Sequence, residues 1–132
     1  MKVSLVTVTF NSDQTLRDTI QSVLNQTYSD IEYIIIDGLS KDNTVDIIRK
    51  CEPQFQGRLK WISERDNGLY DAMNKGIRMS TGEIVGIINS DDFYHRRDII
   101  SRVVEAFRNE KTQTVYGDVR FVNPDNLDKT VR

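Results

Sequence analysis

Four short apolar runs, each closed by a polar residue and followed by a helical pattern, limit what this chain can fold into. They occupy residues 3–9, 31–36, 59–63 and 84–88. Their Val, Ile and Thr content favours strands, and the second run is nearly continuous apolar, as in a strand covered on both faces. Between the runs, Leu16, Ile20, Val23 and Leu24 fall on one face of a 3.6-residue period, with Ser12 or Asp13 placed to cap that helix. A second helix is expected to point Val45, Ile48 and Cys51 inward and to end near Pro53. Leu69, Met73 and Ile77 form the stripe of a third helix over residues 70–79, to which Tyr70 also belongs, and Thr81-Gly82 closes it. Ile99, Ile100, Val103, Val104 and Phe107 mark a fourth. Strand–helix units in series predict an α/β fold, a Rossmann-like, mostly parallel sheet with helices on both faces. Residues 114–116 and 119–122 read as a further pair of short strands. The charged stretch 123–132 has no core pattern and is expected to be an edge or a frayed end, leaving one domain over residues 1–122.

Composition narrows the function classes. A chain of 132 residues with 38% hydrophobic and 29% charged side chains suits a single soluble core. No apolar run approaches the ~20 residues of a membrane helix, and Met1-Lys2-Val3-Ser4-Leu5 enters a strand without a signal-peptide pattern, so a cytoplasmic protein is expected. Cys51 has no second thiol for a disulfide or a zinc site. A net charge of −2 argues against a nucleic-acid partner, which needs clustered Lys and Arg.

In an open parallel sheet, ligands sit beyond the carboxyl ends of the strands. There the chain places Thr9-Phe10-Asn11, Asp37-Gly38, Glu64-Arg65-Asp66 and Asp91-Asp92. A single acidic residue at such a point is usually a turn former or helix cap. Two adjacent carboxylates repel each other unless a cation or ligand donor sits between them. Mg²⁺ or Mn²⁺ would suit Asp91-Asp92, because hard cations take oxygen ligands and keep coordination sites for substrate phosphates. Asp37 is placed to accept a hydrogen bond from a base or ribose. Neither G-x-G-x-x-G nor G-x-x-x-x-G-K-[ST] occurs, which leaves a nucleoside diphosphate with a metal. His95 reads as an exposed loop or cap residue, Arg96-Arg97 as a solvated face, and Cys51 and Trp61 as packing.

Five segments in this order, Thr7-Val8-Thr9-Phe10-Asn11, Gln26-Thr27-Tyr28, residues 34–44, residues 63–76 and Asn89-Ser90-Asp91-Asp92, resemble family 2 glycosyltransferases of the GT-A fold. The similarity runs to Tyr116-Gly117-Asp118. The resemblance implies inverting transfer of a sugar from a nucleotide-diphosphate donor, UDP-sugar being the expected one, to a saccharide or lipid-linked acceptor, as in polysaccharide biosynthesis at a membrane surface. It implies that the first-strand residues Thr7, Thr9, Phe10 and Asn11, together with Asp37, hold the base. Phe10 stands where a Tyr is frequent. Asp66 and Gly68 match the segment closing over the nucleotide, and Asn74 lies on the helix that follows. Asp91 falls near the ribose and Asp92 on the metal, with Ser90 at the first acidic position of the D-x-D-type motif. Asp118 is the acceptor-side candidate for a general base, the main base being expected beyond this chain.

Two other readings compete. A sugar-phosphate nucleotidyltransferase would carry a Gly-rich basic signature after the first strand, where Asn11-Ser12-Asp13-Gln14 stands. A noncatalytic nucleotide-binding module would keep the crevice without turnover. The length itself suggests a donor-nucleotide half in which binding outlives catalysis.

Overall fold

The computed structural model describes residues 1–109, 111–115, 121–123 and 126–131. Strand β1 (Val3–Thr9) pairs in parallel with β2 (Ile31–Asp37) on one side and β4 (Ile84–Ile87) on the other, and β2 pairs in parallel with β3 (Leu59–Ser63). The sheet order is β3-β2-β1-β4. Every residue of β2 is buried, which accounts for its near-continuous run of isoleucines. Among the described residues no helix is long and apolar enough to cross a membrane.

Alternation along the strands divides the core in two. Val3, Leu5, Tyr33, Ile35, Leu59 and Ile84 face α1 (Leu16–Leu24), α2 (Thr44–Cys51) and α4 (Ile99–Phe107). Val6, Ile34 and Ile36 face α3 (Leu69–Met79). Helices therefore lie on both faces, as expected. A 3₁₀ turn (Glu52–Phe55) follows α2 and buries Phe55 against Tyr33 at a ring separation of 5.6 Å.

Several local expectations are corrected. The buried side of α3 is Ala72 and Gly76, while Leu69, Tyr70 and Ile77 are exposed. Gly76 sits so close to β1 that a Cβ on it would lie 2.3 Å from Val6 Cγ1, so the smallest side chain sets the helix–sheet contact. In α2, Ile47 joins Ile48 and Cys51 in the core and Val45 is only half-buried. Trp61 is half-buried and packs against the larger core cluster as expected, with the Arg49 guanidinium 5.7 Å above its ring. Ser12 and Asp13 do not cap α1 by their side chains. The Ser12 carbonyl accepts from the N–H groups of Thr15 and Leu16 instead. Thr114 and Val115 are not in a strand, and Tyr116 lies outside the described residues. Phe121–Asn123 (β5) pairs antiparallel with Asn126–Val131 (β6), so the 122/123 boundary falls inside a strand.

The amino edge of the sheet is closed by Glu32. Its carboxylate, 3% exposed as a residue, accepts from the Thr81 N–H and hydroxyl at 3.0 and 2.6 Å and from Ser4 Oγ at 3.1 Å. Lys2 and Lys60 lie 3.1 and 3.2 Å away. Burial alone would raise its pKa, but the hydrogen bonds from Thr81 and both lysines prevail and bring it to about 2, below the ordinary 4.5. A carboxyl whose folded pKa is lowered stabilises the fold above its unfolded pKa and loses that contribution as pH falls through the folded one. The difference corresponds to roughly 3 kcal/mol. Glu32→Gln should thus lower unfolding free energy at pH 7 by up to that amount in urea titrations, and its deficit should shrink between pH 4.5 and 2. Gly76→Ala tests the α3 contact. Helix propensity alone would make it stabilising by about 1 kcal/mol, whereas the overlap with Val6 should make it destabilising by about 1–3 kcal/mol in the same titrations.

Candidate functional site

Parallel pairing in register puts Thr9 beside Asp37 and Asp37 beside Ser63, so three loops leave the sheet together. Thr9 is buried, and its Oγ1 is the one buried side-chain polar atom without a hydrogen-bond partner among the described residues. Phe10, next in the chain, is 59% exposed. Asn11 follows at φ 47°, a left-handed conformation that Asn tolerates better than most residues. That turn lets its N–H donate to Ser40 Oγ at 2.8 Å while its Oδ1 accepts from the Lys41 N–H at 2.9 Å. The loops after β1 and β2 are thereby clasped. Asp13 and Asp42 extend the clasp, each accepting from a backbone N–H in the other loop.

Asp37 is fully buried. Its Oδ1 accepts from the Ser40 hydroxyl at 2.5 Å, and its Oδ2 accepts from the Ser40 N–H at 2.9 Å and Ser63 Oγ at 2.7 Å. In this arrangement the carboxylate holds the loop after β2 against the end of β3. Thr7 is likewise turned inward, its hydroxyl bonded to Tyr33 Oη at 2.7 Å with both residues buried.

The surface beyond the strand ends is formed by Phe10, Gly38 and Asp66. A Cβ on Gly38 would lie 2.9 Å from Asp66 Oδ2 and 3.4 Å from Phe10 Cδ1, so residue 38 must be small for the ring and the carboxylate to approach each other. Asp66 Oδ1 accepts from the Gly68 N–H at 3.1 Å. Gly68 has φ 109°, a conformation that side-chain-bearing residues rarely adopt, and it starts α3. Lys75 on α3 donates to the Arg65 carbonyl and pairs with Glu64 at 3.1 Å, tying this loop to its helix. Asn74 is exposed on α3.

After β4 the chain makes a turn at residues 89–92, closed by the Asp92 N–H to the Asn89 carbonyl. Asp91 and Asp92 are both exposed, and the Asn89 amide donates to Asp92 Oδ2 at 3.4 Å. Ser12 Oγ meets Ser90 Oγ at 3.1 Å, bringing this turn against the loop after β1. Among the described residues neither Asp91 nor Asp92 pairs with a cation, and no group of three or more His, Cys, Asp or Glu is placed to hold a metal. Two acidic side chains on one turn fit a hard cation that completes its shell with ligand oxygens, and not one fully caged by protein. Asp118 lies outside the described residues.

His95 and Arg97 are exposed, and Arg96 forms a bidentate pair with Asp98, in line with a solvated face. The hydroxyls that shape the site carry no role in the sequence reading: Ser40 and Ser63 fall inside the segments that resemble the family without being singled out, and Thr19 falls outside them. Thr19 carries a detectable signal, a polar side chain among Leu16, Ile20 and Val23 on the inner stripe of α1.

The match to Glycosyl transferase family 2 spans residues 4–132. The chain belongs to this family. An uncharacterized glycosyltransferase of Mycobacterium tuberculosis is 41% identical over 105 residues, covering 79% of this chain and 39% of that protein. A PGL/p-HBAD biosynthesis glycosyltransferase of Mycobacterium bovis is 34% identical over 117 residues, covering 88% of this chain and 46% of that protein. The chain therefore spans less than half the length of these relatives. S. aureus TarS 1-349, solved in complex with UDP-GlcNAc, superposes over 82% of this chain and 31% of its own, with a TM-score of 0.73 at 21% identity. A mannosyltransferase of Pyrobaculum calidifontis, solved with GDP-Man and Mn²⁺, superposes over 79% of this chain and 31% of its own, with a TM-score of 0.73 at 25% identity. The fold is that of GT-A glycosyltransferases.

The buried Asp37 provides a test of the site's construction. Asp37→Asn replaces one acceptor oxygen by an amide that faces the Ser40 and Ser63 donors. It should cost about 2 kcal/mol of unfolding free energy, the usual scale for hydrogen bonds to a charged group. Denaturant unfolding at pH 7 measures it, and an unchanged midpoint would contradict the assigned role.

Proposed function

We propose that this chain binds a nucleoside-diphosphate sugar, a UDP-sugar in particular, at the carboxyl edge of its sheet and forms the donor-binding part of a metal-dependent, inverting glycosyltransferase. The observation that carries this reading is the Asp91-Asp92 turn, without a cation partner among the described residues, held beside the Phe10, Gly38 and Asp66 surface. Two exposed like charges on one turn favour a bound cation. An exposed aromatic ring one residue past an orphaned buried hydroxyl suits a flat base that stacks on the ring and offers that hydroxyl a partner. The complexes of similar proteins with UDP-GlcNAc and with GDP-Man and Mn²⁺ support the ligand class.

In this scheme Phe10 and the clasped loops orient the nucleotide, and Asp66 with Gly68 bounds it on the α3 side. Asp92 would hold the metal, with Asp91 toward the ribose. A bound Mg²⁺ or Mn²⁺ would neutralise the charge that develops on the departing diphosphate. The acceptor hydroxyl needs a base within about 3 Å to take its proton, and Asp118 remains the acceptor-side candidate within this chain. The acceptor is a saccharide or a lipid-linked saccharide. Work at the inner face of a membrane by a cytoplasmic enzyme would follow from such an acceptor.

With too few protein ligands for a cage, metal and nucleotide should bind together. Calorimetry should show UDP binding strengthened by Mn²⁺, and Asp92→Ala should abolish the strengthening while the protein stays folded. Failure of millimolar UDP with Mn²⁺ to bind the wild-type chain would refute the proposal.

A further inference from the structure

The turn that carries Asp91 and Asp92 does not hold its own shape. Its one internal backbone hydrogen bond, from the Asp92 N–H to the Asn89 carbonyl, leaves the carbonyls of residues 90 and 92 to be satisfied elsewhere. Both face one side chain, whose single hydroxyl proton they share. Thr19 Oγ1 lies 3.1 Å from the Ser90 carbonyl oxygen and 2.5 Å from that of Asp92, the two carbonyls that bracket Asp91. Thr19 is fully buried on α1, at a position whose neighbours Leu16, Ile20 and Val23 are core residues.

Residues just past the end of the same helix hold the far end of this segment. Gln26 donates to the Arg96 carbonyl at 2.7 Å and accepts from the Ile100 N–H at 3.0 Å, and the Thr27 N–H donates to the Arg97 carbonyl at 2.8 Å. The stretch from Ser90 to Ile100 is therefore anchored at one end on α1 and at the other on the residues that follow it, and the two anchors differ in what they fix. Gln26 and Thr27 set the start of α4. Thr19 holds the peptide plane before Asp91 and the one after Asp92, the two that flank the acidic pair, and through them the directions in which the two exposed carboxylates leave the backbone. Turning both carbonyls toward the helix interior aims their negative ends away from the solvent side, where the carboxylates stand.

We propose that Thr19 is a positioning residue for metal-assisted donor binding, acting through the Ser90 and Asp92 carbonyls and touching neither metal nor nucleotide. This rests on the donor-site reading above and adds to it a residue that no strand-end motif contains. Groups that orient metal ligands from behind typically change metal affinity about 10- to 100-fold when removed. Thr19→Val keeps the branched shape and deletes the hydroxyl, while Thr19→Ser keeps the hydroxyl.

The measurement is the ratio of UDP dissociation constants without and with Mn²⁺, by calorimetry on the whole chain, with the melting temperature recorded alongside. Thr19→Val should lower this ratio about tenfold relative to wild type, and Thr19→Ser should restore most of it. A Thr19→Val protein that is folded and keeps the wild-type ratio overturns the proposal. So does one that loses affinity equally with and without the metal, since that marks a merely structural role. If Thr19→Val does not fold, Thr19→Ala decides, because it deletes the same hydroxyl with a smaller side chain. Its ratio should fall in the same direction, and an unchanged ratio counts against the role of Thr19. A wild-type chain that binds UDP with no response to Mn²⁺ overturns the metal reading and the role of Thr19 with it. UDP binding that responds to Mn²⁺ to the same extent in wild type and Thr19→Val leaves the donor site standing and refutes Thr19 alone.

Discussion

The in-register parallel pairing of β1 with β2 and of β2 with β3 is the constraint from which the rest follows. Parallel strands must all end at one edge, and here the register sets Thr9, Asp37 and Ser63 side by side at that edge. All three point to the same face because side chains alternate along a strand. A slip of one residue in β2 would turn Asp37 toward α3 and bring Ile36 among the polar loops. Burying the isoleucines of β2 on both faces thus also fixes which hydroxyls reach the Asp37 carboxylate. Core formation and site formation are the same event in this sheet.

The two edges of the sheet resolve their charges in opposite ways. At the amino edge, Glu32 sits between Lys2 and Lys60 and takes hydrogen bonds from Ser4 and Thr81, so its charge is balanced within the chain. That closure also docks the end of the α3–β4 connection, since the Gly82 N–H donates to Ser4 Oγ at 2.8 Å. At the carboxyl edge, Lys75 is occupied by Glu64 and Asp71 on α3, and Arg96 by Asp98. Asp91 and Asp92 are left exposed with no such partner among the described residues. A carboxylate is neutralised fully at one edge, while two adjacent ones at the other meet no cation among the described residues, which on the proposed reading leaves them for a ligand.

Much of this was legible in the sequence, and what was not has physical causes. The strands were visible because β-branched runs bounded by polar residues have few other solutions, and α1 and α4 because their apolar period is clean. The packing face of α3 was misread because hydrophobicity ranks Leu69 and Ile77 above Gly76, whereas the helix approaches β1 through the residue with no side chain at all. Ser12 suits a helix cap by local rules, yet its hydroxyl meets Ser90, far away in sequence. The strand-end acids are legible, but a sequence shows a carboxylate without its donors, so the three hydrogen bonds that Ser40 and Ser63 give Asp37 are not. Thr19 was visible only as an anomaly, a hydroxyl in an apolar stripe whose partners lie in another element.

The burial of Asp37 alters how a base would be recognised on the proposed reading. The resemblance casts this carboxylate as a direct contact, but its oxygens are engaged by three donors behind the loop. What it controls is Ser40, whose hydroxyl in turn receives the Asn11 N–H, and Asn11 returns the tie through Lys41. The carboxylate thereby acts at one remove, by setting the backbone on both sides of Phe10 and Gly38. Groups not spent on the fold must then meet the ligand itself: the Phe10 ring, the Thr9 hydroxyl and the Asp66 carboxylate, with backbone atoms of the clasped loops. Of these, Thr9 offers a hydroxyl at a position with no protein partner, where a buried polar group is costly unless something supplies the missing hydrogen bond. Selectivity for the base would accordingly reside in the shape of the clasp and in Thr9, with Asp37 as the support that keeps both in place.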